Sequence, residues 1–383
     1  MAEYKKKGAC ERLIATGCLC QRYKDDEDLV SSLPEVDAFL GTAACDQIAA
    51  AVENRQIKPL TLFPDPNSRE FQNLSKPSDQ RKLSADFFSY IKVSEGCSRK
   101  CTYCIIPQLR GIQRSRPRQD INKEAENLAE SGIKEIILTA ENTTDYGQDI
   151  DDGAGFENVL ADLSKNLTPR DVWIRFLYAH PGTLSQDIIR TVKKHTNICS
   201  YYDVPIQHAS SKILQKMGRP CSNQALRDLF GIIRKIDPDA ALRTTIIVGF
   251  PGETEDDFKT LLDFVRDIEF DHLGVFTYSD AKDLLSHQFR DHVPEEIAEK
   301  RHDILIAEQA KISEKRNHSH IGRTYRVLVE ENPEKGVYLG RTMFQAPDVD
   351  GITFIYSDGL EISTFVNVKM TDAFEYDIAG EAE

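Results

Sequence analysis

What the sequence lacks narrows the field first. No apolar run in the 383 residues approaches the ~18–20 that a helix needs to cross a bilayer, which argues against an integral membrane protein. Residues 1–10 carry Lys5, Lys6 and Lys7 but no apolar core, so no secretory signal is visible. Basic side chains are the minority, 48 against 62 acidic ones, for a formal charge of −14. That balance argues against nucleic acid as the main contact and suits a basic partner. An even set of cysteines is missing too. Nine of them in a long chain without a signal speak against a disulfide framework and fit thiolate ligands in a reducing cytosol. No internal repeat or low-complexity tract is present.

The balance of 40% hydrophobic and 29% charged residues is that of a soluble globular protein, and the length predicts two to four domains. Residues 1–60 read as short α/β: strands at 12–15 and 36–40, a turn at 16–18, and helices at 25–33 and 46–54. Residues 61–84, with Pro64, Pro66, Asn67 and Pro77, read as a linker.

Over 85–318, six apolar runs (90–94, 135–139, 172–178, 201–205, 242–248, 272–278) alternate with amphipathic stretches such as 122–131, 184–194, 223–236 and 255–268. This α/β alternation predicts parallel strands with right-handed crossovers. Six units fall short of a closed eight-fold barrel, so an open six-unit (βα) barrel is expected. Pro294 starts a long charged helix ending near Asn317. Residues 319–383 change character: runs at 325–330, 337–342, 351–355 and 365–370 predict a small antiparallel all-β barrel.

The sharpest chemical signal is Gly96-Cys97-Ser98-Arg99-Lys100-Cys101-Thr102-Tyr103-Cys104, at the end of the first barrel strand. Three thiolates within eight residues can wrap one metal centre. A structural zinc site wants four closed ligands, and no fourth Cys or His lies near in sequence, although a distant one could complete it. A cubane iron–sulfur cluster on three cysteines leaves one iron open for another ligand.

This motif and the six-unit layout resemble the radical S-adenosylmethionine (SAM) enzymes. The stretch from Val93-Ser94-Glu95-Gly96 to Cys104-Ile105-Ile106-Pro107-Gln108-Leu109-Arg110-Gly111 is similar to the methylthiotransferases within that superfamily. So are Ile14-Ala15-Thr16-Gly17-Cys18 and Pro34-Glu35-Val36-Asp37, which resemble their N-terminal domain, while the final barrel resembles a TRAM domain. Asp203-Val204-Pro205-Ile206-Gln207-His208-Ala209-Ser210 and Ala346-Pro347-Asp348-Val349-Asp350-Gly351 resemble the branch that methylthiolates the β-carbon of an aspartate in small-subunit ribosomal protein 12.

The resemblance implies that Cys97, Cys101 and Cys104 hold a [4Fe-4S] cluster that binds SAM, with SAM serving as both methyl donor and radical source. It also implies an electron donor such as flavodoxin or ferredoxin. Tyr103 would lie beside the adenine of SAM, the competing reading being a packed core aromatic. Glu141, Gln207, Ser210 and Arg219 would face SAM's polar groups. Glu141 stands where similar enzymes carry a glutamine, and a carboxylate accepts hydrogen bonds but cannot donate them as an amide does. His208 is weighed as an acid–base group and set aside, because hydrogen-atom abstraction needs none. The turn Gly249-Phe250-Pro251-Gly252-Glu253-Thr254 reads as architectural, with Thr254 an N-cap. Cys45, Cys199 and Cys221 read as buried small side chains.

Charge checks the branch. Residues 321–383 hold five basic and twelve acidic side chains. An acidic barrel suits a basic ribosomal protein, whereas a tRNA-gripping one should be basic. The rivals are therefore a tRNA methylthiotransferase, and a ribosome-binding protein that keeps the cluster without turnover. One departure stands out. The family's second [4Fe-4S] cluster uses three N-terminal cysteines, and only Cys18 has a counterpart, so the chain reads as lacking the start of its first domain. Cys10 and Cys18 flank the expected strand, roughly 20 Å apart at ~3.3 Å per residue.

Overall fold

A computed structural model describes residues 2–26, 28–53, 59–68, 85, 87–150 and 155–383. These fall into two compact units, the smaller built from the described residues up to 68 together with 95–100 and 104–114.

The smaller unit holds a parallel sheet in which Ile14–Thr16 pairs with Ala38–Leu40, and that strand with Leu60–Leu62. The central strand is fully buried, which is why Ala38, Phe39 and Leu40 are all apolar. Leu60–Leu62 runs into the stretch expected to be linker, most of which lies outside the described residues. Gly17, at φ +97°, turns the first strand directly into a helix, Cys18–Arg22, that the sequence pattern did not announce. The helix expected at 25–33 is a single turn, Asp28–Ser32. The one expected at 46–54 begins as a 3-10 turn at Cys45–Gln47 and continues as Ile48–Glu53.

In the larger unit all six expected barrel strands form: Phe88–Lys92, Glu135–Thr139, Trp173–Phe176, Tyr201–Asp203, Ala241–Val248 and His272–Thr277. Strands one to three make one parallel sheet and strands four to six another, with an isolated bridge from Ile174 to Ile198 between them. Among the described residues the first and sixth strands do not pair, so the barrel is open. Alternate strand residues face outward onto helices. Ile136, Leu138, Ile174 and Phe176 share one core with Phe156–Leu167, Gln186–Lys194, Asn223–Ile236 and Glu255–Ile268. Thr254 caps the last of these in a reciprocal capping box with Asp257. The long helix spans Glu295–His318.

The C-terminal strands Thr324–Glu334, Val337–Thr342, Thr353–Tyr356, Phe365–Ala373 and Ile378–Ala382 close into a five-stranded barrel. It departs from the expected all-antiparallel form, because the last strand pairs parallel with Thr353–Tyr356. This barrel abuts the inner face of the six-strand unit. Leu328 and Ala346 join Phe88, Ile137, Trp173 and Tyr201 in one core.

Charges are buried in the same layer. Glu135 meets Arg175 Nε at 2.6 Å and Arg341 Nη2 at 2.6 Å, and Arg341 Nε donates to Glu330 at 2.7 Å. Burial alone would raise the Glu135 carboxyl; the two guanidiniums outweigh it and hold the group below the usual carboxylate range. Nearby, Arg243 Nη1 donates to Asp203 at 2.9 Å, and its Nε lies 3.6 Å from Asp350. Asp350 accepts from Ala346 N–H and from the Tyr201 hydroxyl at 2.8 and 2.7 Å.

Candidate active site

The cysteine loop begins at a bend that only glycine can make. Gly96 has φ +76°, and a Cβ there would sit 2.3 Å from Ile112 O and 2.6 Å from Gly111 O. Cys97 N–H then donates to Gly111 O at 3.1 Å. The middle of the loop is pinned in the larger unit through Thr102. Its N–H and hydroxyl donate to Met217 O and Lys216 O at 3.0 and 2.9 Å, and its carbonyl accepts from Ser286 N–H.

Pinning Thr102 fixes its two neighbours. The Tyr103 ring meets Phe250 edge-on, with ring centres 6.5 Å apart, and its hydroxyl accepts from Arg219 Nη1 at 3.2 Å. Burial pushes this phenol well above its ordinary value, with Arg219 opposing and Cys101 reinforcing the shift. Arg219 is itself held by Pro205 O at 2.8 Å. Cys101, Tyr103 and Arg219 therefore come together at the C-terminal ends of the barrel strands, where parallel barrels build their sites.

Gln207 follows the fourth strand with a left-handed φ of +69°, held by exchanges with Thr245 O and Ile247 N–H at 2.8 Å. Ser210 is buried, its hydroxyl donating to Asp257 at 2.6 Å and its N–H to His208 Nδ1 at 2.9 Å. Glu141 lies exposed just beyond the second strand.

His208 is fully buried and tied into a group that the sequence pattern did not expose. Its Nε2 lies 3.6 Å from Glu253 Oε1, and the same oxygen lies 3.5 Å from Arg301 Nη1. Glu253 also accepts from Gly249 N–H, which closes the turn at 249–254. Glu253 two residues past Pro251, within the glycine turn, was the available signal.

Four arginines that follow the loop engage acidic side chains or a carbonyl. Arg110 pairs with Glu95 at 2.9 Å, Arg114 donates to Pro66 O, Arg116 pairs with Glu124 at 2.7 Å and Arg118 with Asp162 at 3.3 Å.

Three half-buried thiols spaced over eight residues in one loop form a donor set that fits a three-cysteine [4Fe-4S] cluster. The other four thiols of the smaller unit engage separate groups. Cys18 Sγ accepts from Arg110 Nη2 at 3.2 Å, while Cys10 and Cys45 donate to Arg12 O and Thr42 O. Cys20 is buried in the apolar cluster with Val36 and Phe39, which raises its thiol pKa. Cys45 is exposed at the start of a 3-10 turn rather than in the core, whereas Cys199 is fully buried and pushed up to about 12 by that burial. Among the described residues no three His, Cys, Asp or Glu side chains lie close enough together to hold a metal ion as they stand, so the case for the cysteine loop rests on its donor chemistry and spacing, and Cys10, Cys18, Cys20 and Cys45 have no such spacing.

No described helix is long and apolar enough to cross a membrane. The Radical SAM superfamily model matches residues 91–265, and the TRAM domain model matches residues 321–382. The chain is 44% identical over 381 residues to "Ribosomal protein uS12 methylthiotransferase RimO" of Clostridioides difficile, covering 99% of this chain and 84% of that protein. The protein of the same name from Desulfosudis oleivorans is 44% identical over 386 residues, covering 100% and 86%. Among solved structures, the radical S-adenosylmethionine methyltransferase TsrM of Kitasatospora setae superposes with a TM-score of 0.51 at 15% identity, over 69% of this chain and 55% of that one, which speaks to fold alone. Motif, layout and near-full-length identity converge: the chain belongs to the radical SAM methylthiotransferase family, alongside the RimO proteins.

Proposed function

We propose that this protein transfers a methylthio group to the β-carbon of an aspartate in ribosomal protein uS12. The observation that carries the reading is the cysteine loop, anchored through Thr102 so that Tyr103 meets Arg219, in a chain 44% identical to proteins of that name. When bound, the cluster and SAM supply one-electron cleavage of SAM and abstraction of a substrate hydrogen atom.

The chain's own residues bind and orient. Cys97, Cys101 and Cys104 hold the cluster; Tyr103 and Phe250 offer aromatic surface to the adenine; Arg219 fixes the Tyr103 hydroxyl and the strand-four loop that carries Gln207. Glu141 and Ser210 complete the SAM-facing set, with Ser210 acting through its fixed turn. The surplus of acidic side chains over 321–383 suits a basic protein partner. The division at 1–60, 61–84, 85–318 and 319–383, and a flavodoxin or ferredoxin as reductant, belong to the same reading.

The test is anaerobic reconstitution followed by incubation with SAM, a low-potential reductant and purified uS12. Release of 5′-deoxyadenosine with a methylthio mass gain on one uS12 aspartate supports the proposal, and Cys101→Ala should abolish both. SAM cleavage with unmodified uS12 would overturn it.

A further inference from the structure

Tyr178 follows the third barrel strand, on the same rim as the cysteine loop and Gln207. Its backbone is left-handed, φ +63°, a conformation that a bulky aromatic side chain rarely adopts. Strain of this kind persists only when the surroundings over-determine it, and it concentrates at functional sites.

The surroundings are explicit. Tyr178 N–H donates to Asp203 Oδ2 at 3.0 Å, its carbonyl accepts from Thr143 N–H at 3.1 Å, and the next residue, Ala179, donates to Asp203 O at 2.9 Å. With the main chain held on both sides, the side chain is left 45% exposed. Its hydroxyl makes no hydrogen bond among the described residues, so the ring gives the fold little in return for the strain. The second carboxylate oxygen of Asp203, itself fully buried, leads to Arg243, and Arg243 leads to Asp350 in the loop Ala346–Gly351 of the C-terminal barrel. Asp350 closes that loop by accepting from Ala346 N–H and is fixed by the Tyr201 hydroxyl.

We propose that Tyr178 contacts the peptide segment bearing the target aspartate, and that Asp350 is a positioning residue that sets Tyr178 through Arg243 and Asp203. The C-terminal barrel thereby shapes the substrate-facing rim from the opposite side of the strands. This rests on the reading above that the substrate is a protein.

The test uses the reconstituted full-length enzyme with purified uS12 as probe. Tyr178→Ala should raise the KM for uS12 about tenfold while kcat falls less than about threefold, the mark of lost substrate binding. Asp350→Asn should raise the same KM by about threefold without touching substrate, and the double variant should be no worse than Tyr178→Ala alone, because both act through one contact. Should Asp350→Asn fail to fold, Arg243→Lys, which cannot reach both carboxylates, carries the same comparison. Wild-type turnover on uS12 with an unaltered KM in Tyr178→Ala, or additive effects in the double variant, overturns the inference and leaves the functional reading standing. Absence of wild-type turnover on uS12 overturns both.

Discussion

Glu135 and Arg341 meet at 2.6 Å with 0% and 2% of their side chains exposed, joining the start of the second barrel strand to the C-terminal barrel. The contact is a close approach of charges without an aligned hydrogen bond, and Arg175 flanks it from the third strand. Removing Glu135 is costly, because Arg175 then stays buried without a carboxylate and Arg341 keeps only Glu330. Glu135→Gln should therefore lower unfolding stability by about 3–5 kcal/mol. Replacing Glu135, Arg175 and Arg341 together with apolar residues of similar volume should recover much of that loss, and urea titrations compare the two.

The same carboxylate gives a pH signature. Its folded pKa lies below the unfolded value, so its contribution is fully present above the usual carboxylate pKa and is lost as pH falls through the folded value. The stability gap between wild type and Glu135→Gln should shrink as the medium is acidified below about pH 4, the ordinary carboxylate range. A gap that widens with acid would contradict the assignment.

His320 offers a second, separable transition. It stacks on Phe344 with ring centres 4.3 Å apart, and burial pushes its pKa down to about 4. The unfolded chain binds this proton near pH 6.5. Stability from the neutral ring is therefore present above that value and lost as pH falls towards 4. His320→Phe should flatten the fall in melting temperature between pH 7 and 5, roughly the window in which an ordinary histidine titrates.

Thr254→Ala removes one half of the capping box and should cost about 1 kcal/mol. Asp257→Ala should cost more, because Asp257 also accepts from Ser210 and pairs with Lys212. If Ser210 serves only the helix, SAM affinity will be equal in both variants. Weaker SAM binding in Asp257→Ala ties the turn to the cofactor.

Iron counting separates the two cluster centres. About four irons per chain, insensitive to Cys18→Ala and abolished by Cys101→Ala, are expected from the described thiols. About eight, falling on Cys18→Ala, would show a second centre.

Where local chemistry decides an element, the sequence shows it. Asn223–Ile236 and Glu255–Ile268 are legible to the residue because Ser222 and Thr254 cap them and their apolar spacing is regular. Ile378–Ala382 is not, because Gly380 interrupts a short run whose strand character comes from pairing on two sides. Three-residue strands such as Leu60–Leu62 have too few alternations to register a period. At the site, the cysteine loop is readable because its ligands are neighbours in sequence. Glu135 with Arg341, His208 with Glu253, and Tyr178 with Asp203 depend on distant partners, and nothing adjacent to them announces the pairing.

The buried charges of Glu135, Arg175 and Arg341 also bear on how such proteins can be recombined. A C-terminal barrel moved onto another six-strand scaffold arrives with a buried arginine that keeps Glu330 but loses Glu135, and leaves behind a buried carboxylate with one arginine instead of two. Exchange of C-terminal barrels between relatives should therefore succeed best when the strand-two acid and the strand-three arginine travel with the graft. In engineering terms the seam is a keyed joint, and the cut belongs inside the six-strand unit rather than at the boundary before the last barrel.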